Sequence, residues 1–204
     1  MQIRKWVIKI KQSERSAQRK ESLIDTALEL FSTRGYTGTT VKDIAKEAGV
    51  TDGLIYHYFS SKEELLNAIL TKHNFLEEVR QTLQFHDELP IDQTLYRLGE
   101  KLLKLMVNKS SFVVMVFGEA QRNSKIAYKF EAIVNQGVTA LGGFLEKRAE
   151  KKEIKDLDYK SLARHFIGSL FIYFLTCGKT GTEKEHKIYL ETIVHALSEG
   201  IKTD

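Results

Sequence analysis

The sequence contains very little cysteine and proline, and it has no long apolar run. Its single cysteine, Cys177, excludes a disulfide framework within the chain and a zinc site built from several cysteines. No stretch approaches twenty uninterrupted apolar residues, and the first twelve residues interleave charged with apolar side chains. This pattern argues against a transmembrane helix and a signal peptide. We therefore expect an intracellular, cytoplasmic protein without membrane partners.

The only proline, Pro90, lies within a polar stretch, and 42% of the 204 residues are hydrophobic. That share is enough for a packed core and too high for a disordered chain. Beyond residue 12 the apolar residues recur at helical spacing, in segments separated by short loops. We therefore predict an all-α fold.

The excess of positive charge is confined to one end of the chain. Residues 1–62 contain 11 lysines and arginines against 7 acidic residues, whereas residues 63–204 contain 20 of each. Positive charge concentrated on one segment suits a polyanionic partner, because each neutralised phosphate releases counterions. A solvated lysine-rich arm explains the same charge distribution, so charge alone does not decide between the two.

Residues 40–58 have the pattern of two short helices joined by a tight turn at Gly49. Thr40 and Asp43 have the spacing of a capping box, and Thr51 is placed to cap the second helix. This arrangement suits a helix-turn-helix, whose second helix enters the major groove of DNA while the first crosses the backbone. A corner between two helices in any helical protein gives the same pattern, so spacing alone leaves both interpretations open.

The residues in this segment resemble the N-terminal domain of the TetR family of bacterial repressors. The resemblance runs without a gap from Ala27 to Leu70. It implies about nine helices, a C-terminal helical bundle for ligand binding and dimerisation, and ligand-induced release of DNA. The matching positions are Phe31, Gly35, Tyr36, Thr39, Thr40, Val41, Ile44, Ala45, Ala48, Gly49, Val50, Gly53, Tyr56, Tyr58, Phe59, Lys62 and Glu63.

The predicted DNA contacts are of two kinds. Thr40 and Thr51 stand at helix N-termini, where hydroxyl and backbone N–H groups bind phosphate oxygens, and the resemblance puts Tyr56, Tyr58 and Lys62 on phosphates. Gly53 lets the helix backbone approach the groove closely. The candidates for base contacts are Thr51, Asp52, Leu54 and His57.

Two of these base-contact candidates have alternative interpretations. Asp52 either shares in capping the helix, which we favour, or accepts a hydrogen bond from a cytosine amino group. His57 either reaches a phosphate or base edge or is simply exposed.

Apolar side chains dominate several predicted helices beyond residue 100. The run from Phe112 to Phe117 is apolar all round, which predicts a buried helix. Such residues line either a ligand cavity or a plain core, while Glu119 and Arg122 either orient a ligand headgroup or form a surface pair. A largely apolar effector, such as an acyl chain or a planar lipophilic molecule, fits this lining. The candidate ligand-binding residues are Phe112, Met115, Glu119, Arg122, Phe130, Phe166, Phe171 and Phe174.

We divide the chain into a basic N-terminal arm (1–15), a helix-turn-helix domain (16–62) and a ligand-binding and dimerisation domain (63–204). The arm either enters an adjacent minor groove or packs elsewhere. By resemblance, the homodimer forms through segments 157–178 and 183–201.

The predicted function is a homodimeric, ligand-released transcriptional repressor that binds a palindromic operator in the bacterial nucleoid. A ligand-responsive activator and an effector-independent architectural DNA-binding protein of the same fold are the alternatives. We predict no enzyme activity, cofactor or metal site, because no nucleophile-elbow serine and no zinc-binding histidine pair occurs.

Overall fold

The computed structural model describes residues 2–203, and the side chains of residues 13–203. Within this part of the chain the all-α prediction is confirmed, and α5 is the helix that the sequence patterns did not single out. The helices are α1 (Gln2–Arg34), α2 (Val41–Glu47), α3 (Asp52–Tyr58), α4 (Lys62–Lys72), α5 (Leu76–Phe85), α6 (Ile91–Asn108), α7 (Ser110–Ala120), α8 (Ser124–Glu150), α9 (Tyr159–Cys177) and α10 (Glu183–Ile201).

Helix α1 begins at Gln2, well before residue 16, where the predicted helix-turn-helix domain begins. Ile3, Val7 and Ile10 recur at helical spacing without an intervening glycine or proline, which explains why the helix extends so far. The side chains of residues 1–12 of the predicted basic arm lie outside the described residues, and the minor-groove contact predicted for the arm stays a prediction.

The chain divides into two compact units between His73 and Asn74. The first unit contains α1 to α4, and α1 packs against both α2 and α4. Helix α4 therefore lies in the first unit, and the functional boundary after residue 62 stays a prediction. The side chains that form this core are Leu23, Ala27, Leu30, Phe31, Ile44, Ala45, Ile55, Phe59, Leu65, Leu66 and Ile69.

The second unit is a bundle of α5 to α10. Helix α8 packs against α5, α7 and α9, while α6 packs against α5, α9 and α10. Gly99 of α6 is needed for that close approach, because a Cβ there would lie 2.9 Å from Leu190 and 3.2 Å from Phe166. Within the described residues, no helix is long and apolar enough to cross a lipid bilayer.

A buried arginine ties the end of α8 to the loop between α5 and α6. The Arg148 side chain is 3% exposed, and its guanidinium donates to the Glu153 carboxylate and to the backbone carbonyls of Asp87 and Leu89. It also lies 5.0 Å from the centre of the Phe144 ring. This one side chain therefore fixes the position of a loop about sixty residues away in sequence.

We expect Arg148→Met to destabilise the second unit by about 3 kcal/mol, because the loop carbonyls lose a charged, buried donor. The measurement is the free energy of unfolding in urea. Lys151→Met is the matched control, because Lys151 pairs with the Asp87 carboxylate at 3.7 Å from an exposed position. That control should change stability by less than about 1 kcal/mol. Equal effects of the two substitutions would contradict the proposed role of burial.

Candidate nucleic-acid interface

Helix α2 begins with the predicted capping box. The Thr40 hydroxyl accepts from the backbone N–H of Asp43 at 3.2 Å, and the Asp43 carboxylate accepts from the Thr40 backbone at 2.8 Å. The Thr40 hydroxyl also donates to that carboxylate at 2.5 Å. These bonds from Thr40 hold the pKa of Asp43 below its ordinary value. The Thr40 hydroxyl hydrogen is therefore already used within the protein, so a phosphate contact has to replace this bond.

The turn between α2 and α3 is built as the sequence pattern predicts. Gly49 has a φ of 66°, a left-handed conformation that favours glycine. The backbone N–H of Val50 then donates to the Ala45 carbonyl at 2.9 Å, which closes the turn. Thr51 caps α3 by accepting from the N–H of Leu54 at 3.3 Å. The turn and the cap together fix where α3 begins.

The inner and outer faces of α3 differ sharply. On the inner face, Ile55 is 1% exposed, and so is Phe59, the residue that follows the helix. On the outer face, Tyr56 is 54% exposed. This short helix therefore anchors itself with one face and presents the other to solvent. The predicted contacts that are exposed or partly exposed are Thr40, Thr51, Asp52, Gly53, Leu54, Tyr56, His57, Tyr58 and Lys62.

The structure does not support the capping role that we favoured for Asp52. Thr51 makes the cap bond, and among residues 13–203 no group donates a hydrogen bond to the Asp52 carboxylate. The carboxylate stands partly exposed at the first position of α3. The predicted base contact of Asp52, to a cytosine amino group, stays a prediction.

Two of the residues assigned to phosphates by resemblance have partners inside the protein. The Tyr58 hydroxyl forms a hydrogen bond with the Ser16 hydroxyl of α1 at 3.0 Å. The Lys62 ammonium donates to the carbonyls of Tyr36 and Thr39 at 2.8 and 2.9 Å. Both side chains therefore hold the first unit together, and their phosphate contacts stay predictions.

The lysines of α2 were not among the predicted DNA contacts. Lys42 and Lys46 are exposed and separated by one helical turn. In a helix-turn-helix this helix crosses the DNA backbone, where cations are favoured. Their i, i+4 spacing in the first helix of the helix-turn-helix is the sequence signal that points to them as candidate backbone contacts.

The comparisons with known proteins agree with this geometry. The family described as "Bacterial regulatory proteins, tetR family" matches residues 23–69. The Fatty acid metabolism regulator protein of Bacillus subtilis (strain 168) is 30% identical over 149 residues, which are 71% of this chain and 75% of that protein. The chain belongs to the TetR family. It is accordingly a DNA-binding transcriptional regulator and not an enzyme.

Other similar proteins cover different parts of the chain. The HTH-type transcriptional repressor KstR2 of Rhodococcus jostii (strain RHA1) is 45% identical over 61 residues, or 30% of this chain and 29% of that one. The crystal structure of the regulator FadR from Bacillus subtilis in complex with stearoyl-CoA has a TM-score of 0.71 at 23% identity. It covers 88% of this chain and 98% of that chain. The KstR2 match covers only a short segment of the chain. The FadR structure shares the fold over most of the chain, including parts of both units.

The candidate ligand residues of this TetR-family member do not form one group. Phe130 and Phe171 lie with Phe117 in a half-buried cluster, with ring centroids 5.1 to 6.1 Å apart. Phe174 extends this cluster, 6.5 Å from Phe171.

The remaining candidates lie elsewhere in the second unit. Phe112 packs on Phe75 at 6.3 Å, and Phe166 packs on α6 beside Gly99. Met115 is buried, with 5% of its surface exposed. Phe117 was not among the candidate residues, although it is the last residue of the apolar run that begins at Phe112.

Two expectations about α7 are wrong. Val114 is 46% exposed, so the helix is not buried on all sides. Glu119 is 9% exposed and therefore buried, whereas Arg122 is exposed and, among residues 13–203, makes no ion pair. The predicted surface pair between them is not formed, because they face different environments. Glu119 places an acidic group among apolar neighbours on this helix.

We expect Gly53→Ala to stabilise the protein and weaken its binding to DNA. The nearest atom to an added Cβ is the Thr51 hydroxyl oxygen at 4.0 Å, so the protein has room for it. Alanine should therefore stabilise α3 by about 0.5–1 kcal/mol. The same methyl group should obstruct a close approach to the groove. Urea unfolding and fluorescence anisotropy with labelled duplex DNA measure the two effects separately.

Gly143→Ala is the control, because a Cβ at that position in α8 also has no neighbour within 4 Å. It should stabilise its helix without changing DNA affinity. If Gly53→Ala binds DNA as tightly as the wild type, the prediction that Gly53 allows a close approach of α3 to the groove is wrong.

Proposed function

We propose that the protein is a homodimeric, ligand-released repressor that binds a palindromic operator. The observation that carries the proposal is the division of α3 into a buried, anchored face and an exposed face of hydroxyl, imidazole and carboxylate groups. Such a helix places hydrogen-bonding side chains at base edges without disturbing its own core. Two copies related by two-fold symmetry read half-sites about one helical turn, or 34–36 Å, apart.

The surface of α9 and α10 supports the proposed dimer. Ile172 and Leu175 of α9 are 61% and 37% exposed, and Ile188 of α10 is 52% exposed. Gly168 leaves open space above α9, since an added Cβ would meet nothing within 4 Å. Apolar exposure beside a small residue suits close contact between helices of two copies.

An aromatic contact holds these two helices together as one surface. Tyr173 of α9 stacks on Tyr189 of α10 with ring centroids 3.8 Å apart. The Tyr189 hydroxyl donates to the Ser169 carbonyl at 2.7 Å. Burial raises the pKa of both tyrosines above the ordinary value. The proposed dimer surface is therefore formed within each copy before two copies meet.

We expect Ile172→Glu to convert the dimer to a monomer and to abolish high-affinity operator binding, because each subunit reads only one half-site. Size-exclusion chromatography with light scattering measures the mass. Val114→Glu is the matched control, since Val114 is 46% exposed on α7, outside the proposed surface. A dimer that survives Ile172→Glu would refute this interface.

We further propose a long-chain fatty acyl thioester as the effector. Similarity to the Fatty acid metabolism regulator protein of Bacillus subtilis extends over 75% of that protein, well beyond a helix-turn-helix. The FadR structure of similar fold holds stearoyl-CoA. In the present chain, the half-buried cluster of Phe117, Phe130 and Phe171 offers aromatic surface to an acyl chain. The KstR2 match does not bear on the effector, since it covers only 61 residues.

The test begins with a pull-down of sheared genomic DNA from the source organism, followed by sequencing. We expect a short palindrome. Octadecanoyl-CoA should weaken binding to that duplex at least about fivefold, because a coupling of about 1–3 kcal/mol is typical of such regulators. Coenzyme A alone should have no effect. Fluorescence anisotropy measures both.

Phe171→Ala should reduce the response to octadecanoyl-CoA while leaving DNA affinity unchanged. Tyr128→Ala removes an aromatic ring that is 76% exposed on α8, and it should change neither property. DNA enrichment without a common motif would argue against a sequence-specific repressor. A palindrome whose binding ignores octadecanoyl-CoA would argue against this effector alone.

A further inference from the structure

A stripe of hydrogen-bond donors runs along the described part of α1. Its members follow the i, i+3, i+4, i+7 spacing that places side chains on one face of a helix, and all are exposed. They are Arg15, Gln18, Arg19 and Ser22. Each can donate a hydrogen bond, and none carries a negative charge. The stripe therefore offers two guanidinium groups, an amide and a hydroxyl to one partner.

This donor stripe faces the turn of the helix-turn-helix within the first unit. Its four residues, together with Leu23, form one wall of an open groove of about 490 Å³. The other wall consists of the turn residues Ala48, Gly49 and Val50. No acidic side chain lines this groove. Its chemistry is therefore that of a site for an anion.

The two arginines are not neutralised within the described part of the protein. Among residues 13–203, neither Arg15 nor Arg19 forms an ion pair. The acidic residues nearest to them in sequence, Glu14 and Glu21, do not line the groove, and Glu21 pairs with Lys72 at 2.7 Å. A guanidinium group is a planar fork of donors that matches the oxygens of a phosphate. Both forks are thus available to a partner outside the chain.

The groove ends where the recognition helix begins. Val50 is followed directly by Thr51, the N-cap of α3. In a helix-turn-helix, the N-terminal residues of the recognition helix contact base edges in the major groove. The sugar–phosphate backbone borders that groove, so phosphates come close to the turn when α3 is in place.

Helix α1 is also fixed at the other end of α3. The hydroxyl of Ser16, which lies between the two arginines in sequence, forms a hydrogen bond with the hydroxyl of Tyr58 at 3.0 Å. Tyr58 is the last residue of α3. The two arginines are consequently carried by a helix whose position relative to the recognition helix is set before DNA arrives.

We propose that Arg15 and Arg19 bind phosphates of the DNA backbone in this groove, as a contact site on α1 that lies outside the helix-turn-helix. The site takes a phosphodiester whatever the base sequence, so it adds affinity without adding discrimination. The proposal depends only on DNA binding by this family member. It is independent of the proposed effector and of the proposed dimer surface.

The experiment uses the full chain and two double variants that remove the same charge. The site variant is Arg15→Gln with Arg19→Gln. The control variant is Arg80→Gln with Arg97→Gln, which removes two exposed arginines of the second unit that also form no ion pair among residues 13–203. Fluorescence anisotropy measures the affinity of each for a random-sequence duplex of fixed length at several salt concentrations, so no operator is needed.

We expect the site variant to bind the duplex at least about tenfold more weakly at low salt than the wild type. The slope of log affinity against log salt should become shallower by about one to two for each bound chain, since each phosphate contact contributes about 0.9. The control variant should keep the wild-type slope, because distant charges release no counterions from the contacted phosphates. Urea unfolding should be unchanged in both variants, since all four side chains are exposed.

A third variant separates phosphate binding from a structural role. Arg15→Lys with Arg19→Lys keeps both charges and removes both planar forks. It should keep the wild-type salt slope and lose part of the affinity. A merely structural role of the arginines would instead lower the free energy of unfolding and leave the slope of the site variant unchanged.

A second measurement locates the contact on the DNA. Uncharged methylphosphonate linkages replace single phosphates, one at a time, in the palindrome that the wild-type protein selects from a random-sequence pool. At the contacted phosphates the wild type should lose affinity, whereas the site variant should lose little more. Such non-additivity is expected only of groups that interact with each other.

The proposal is overturned if the site variant keeps the wild-type salt slope, or if the control variant lowers the slope by the same amount. Additive losses at every methylphosphonate position overturn it as well.

Discussion

The burial of Ile55 and Phe59 is the interaction on which the DNA-reading surface depends. Helix α3 has only seven residues, and a helix of that length is not stable alone in water, because nucleation costs more than so few hydrogen bonds return. The side chains of Ile55 and of Phe59, the residue that caps the C-terminus of α3, are each 1% exposed, and they supply the missing stability from the core of the first unit. The exposed face is then free to carry polar groups chosen for DNA and not for folding.

Patterns of neighbouring residues predicted the local structure of this surface well. They could not predict contacts between residues that are far apart in the sequence. The capping box of Thr40 and Asp43, the turn at Gly49 and the cap at Thr51 each depend on residues a few positions apart, and the structure confirms them. The partner of Lys62 lies 23 to 26 residues away. No periodicity indicates which carbonyl a lysine will reach, so the family pattern alone put this residue on phosphate.

In the second unit, composition predicted the helices better than it predicted which of their faces are buried. Helices α7 and α9 were expected to carry a ligand site because both are rich in apolar residues. Composition does not specify which face turns inward: Val114 is 46% exposed, while Glu119, five residues later, is buried. The eight candidate residues therefore divide among an aromatic cluster, a contact with Phe75, a contact beside Gly99, two buried positions on α7 and the surface. Among these eight candidates, Phe130 and Phe171 offer half-buried aromatic surface.

A division of labour within the first unit explains how a small signal can control DNA binding. In the proposed function, exposed cations such as Lys42 and Lys46 supply attraction that any DNA sequence satisfies, and no effector needs to change their charge. Discrimination depends on where α3 sits, which the packing of α1, α2 and α4 determines. Under this proposal, an effector needs to disfavour one position of these helices by about 1–3 kcal/mol. Ties such as Lys62 make that position well defined, and a well-defined position is one that a ligand can shift.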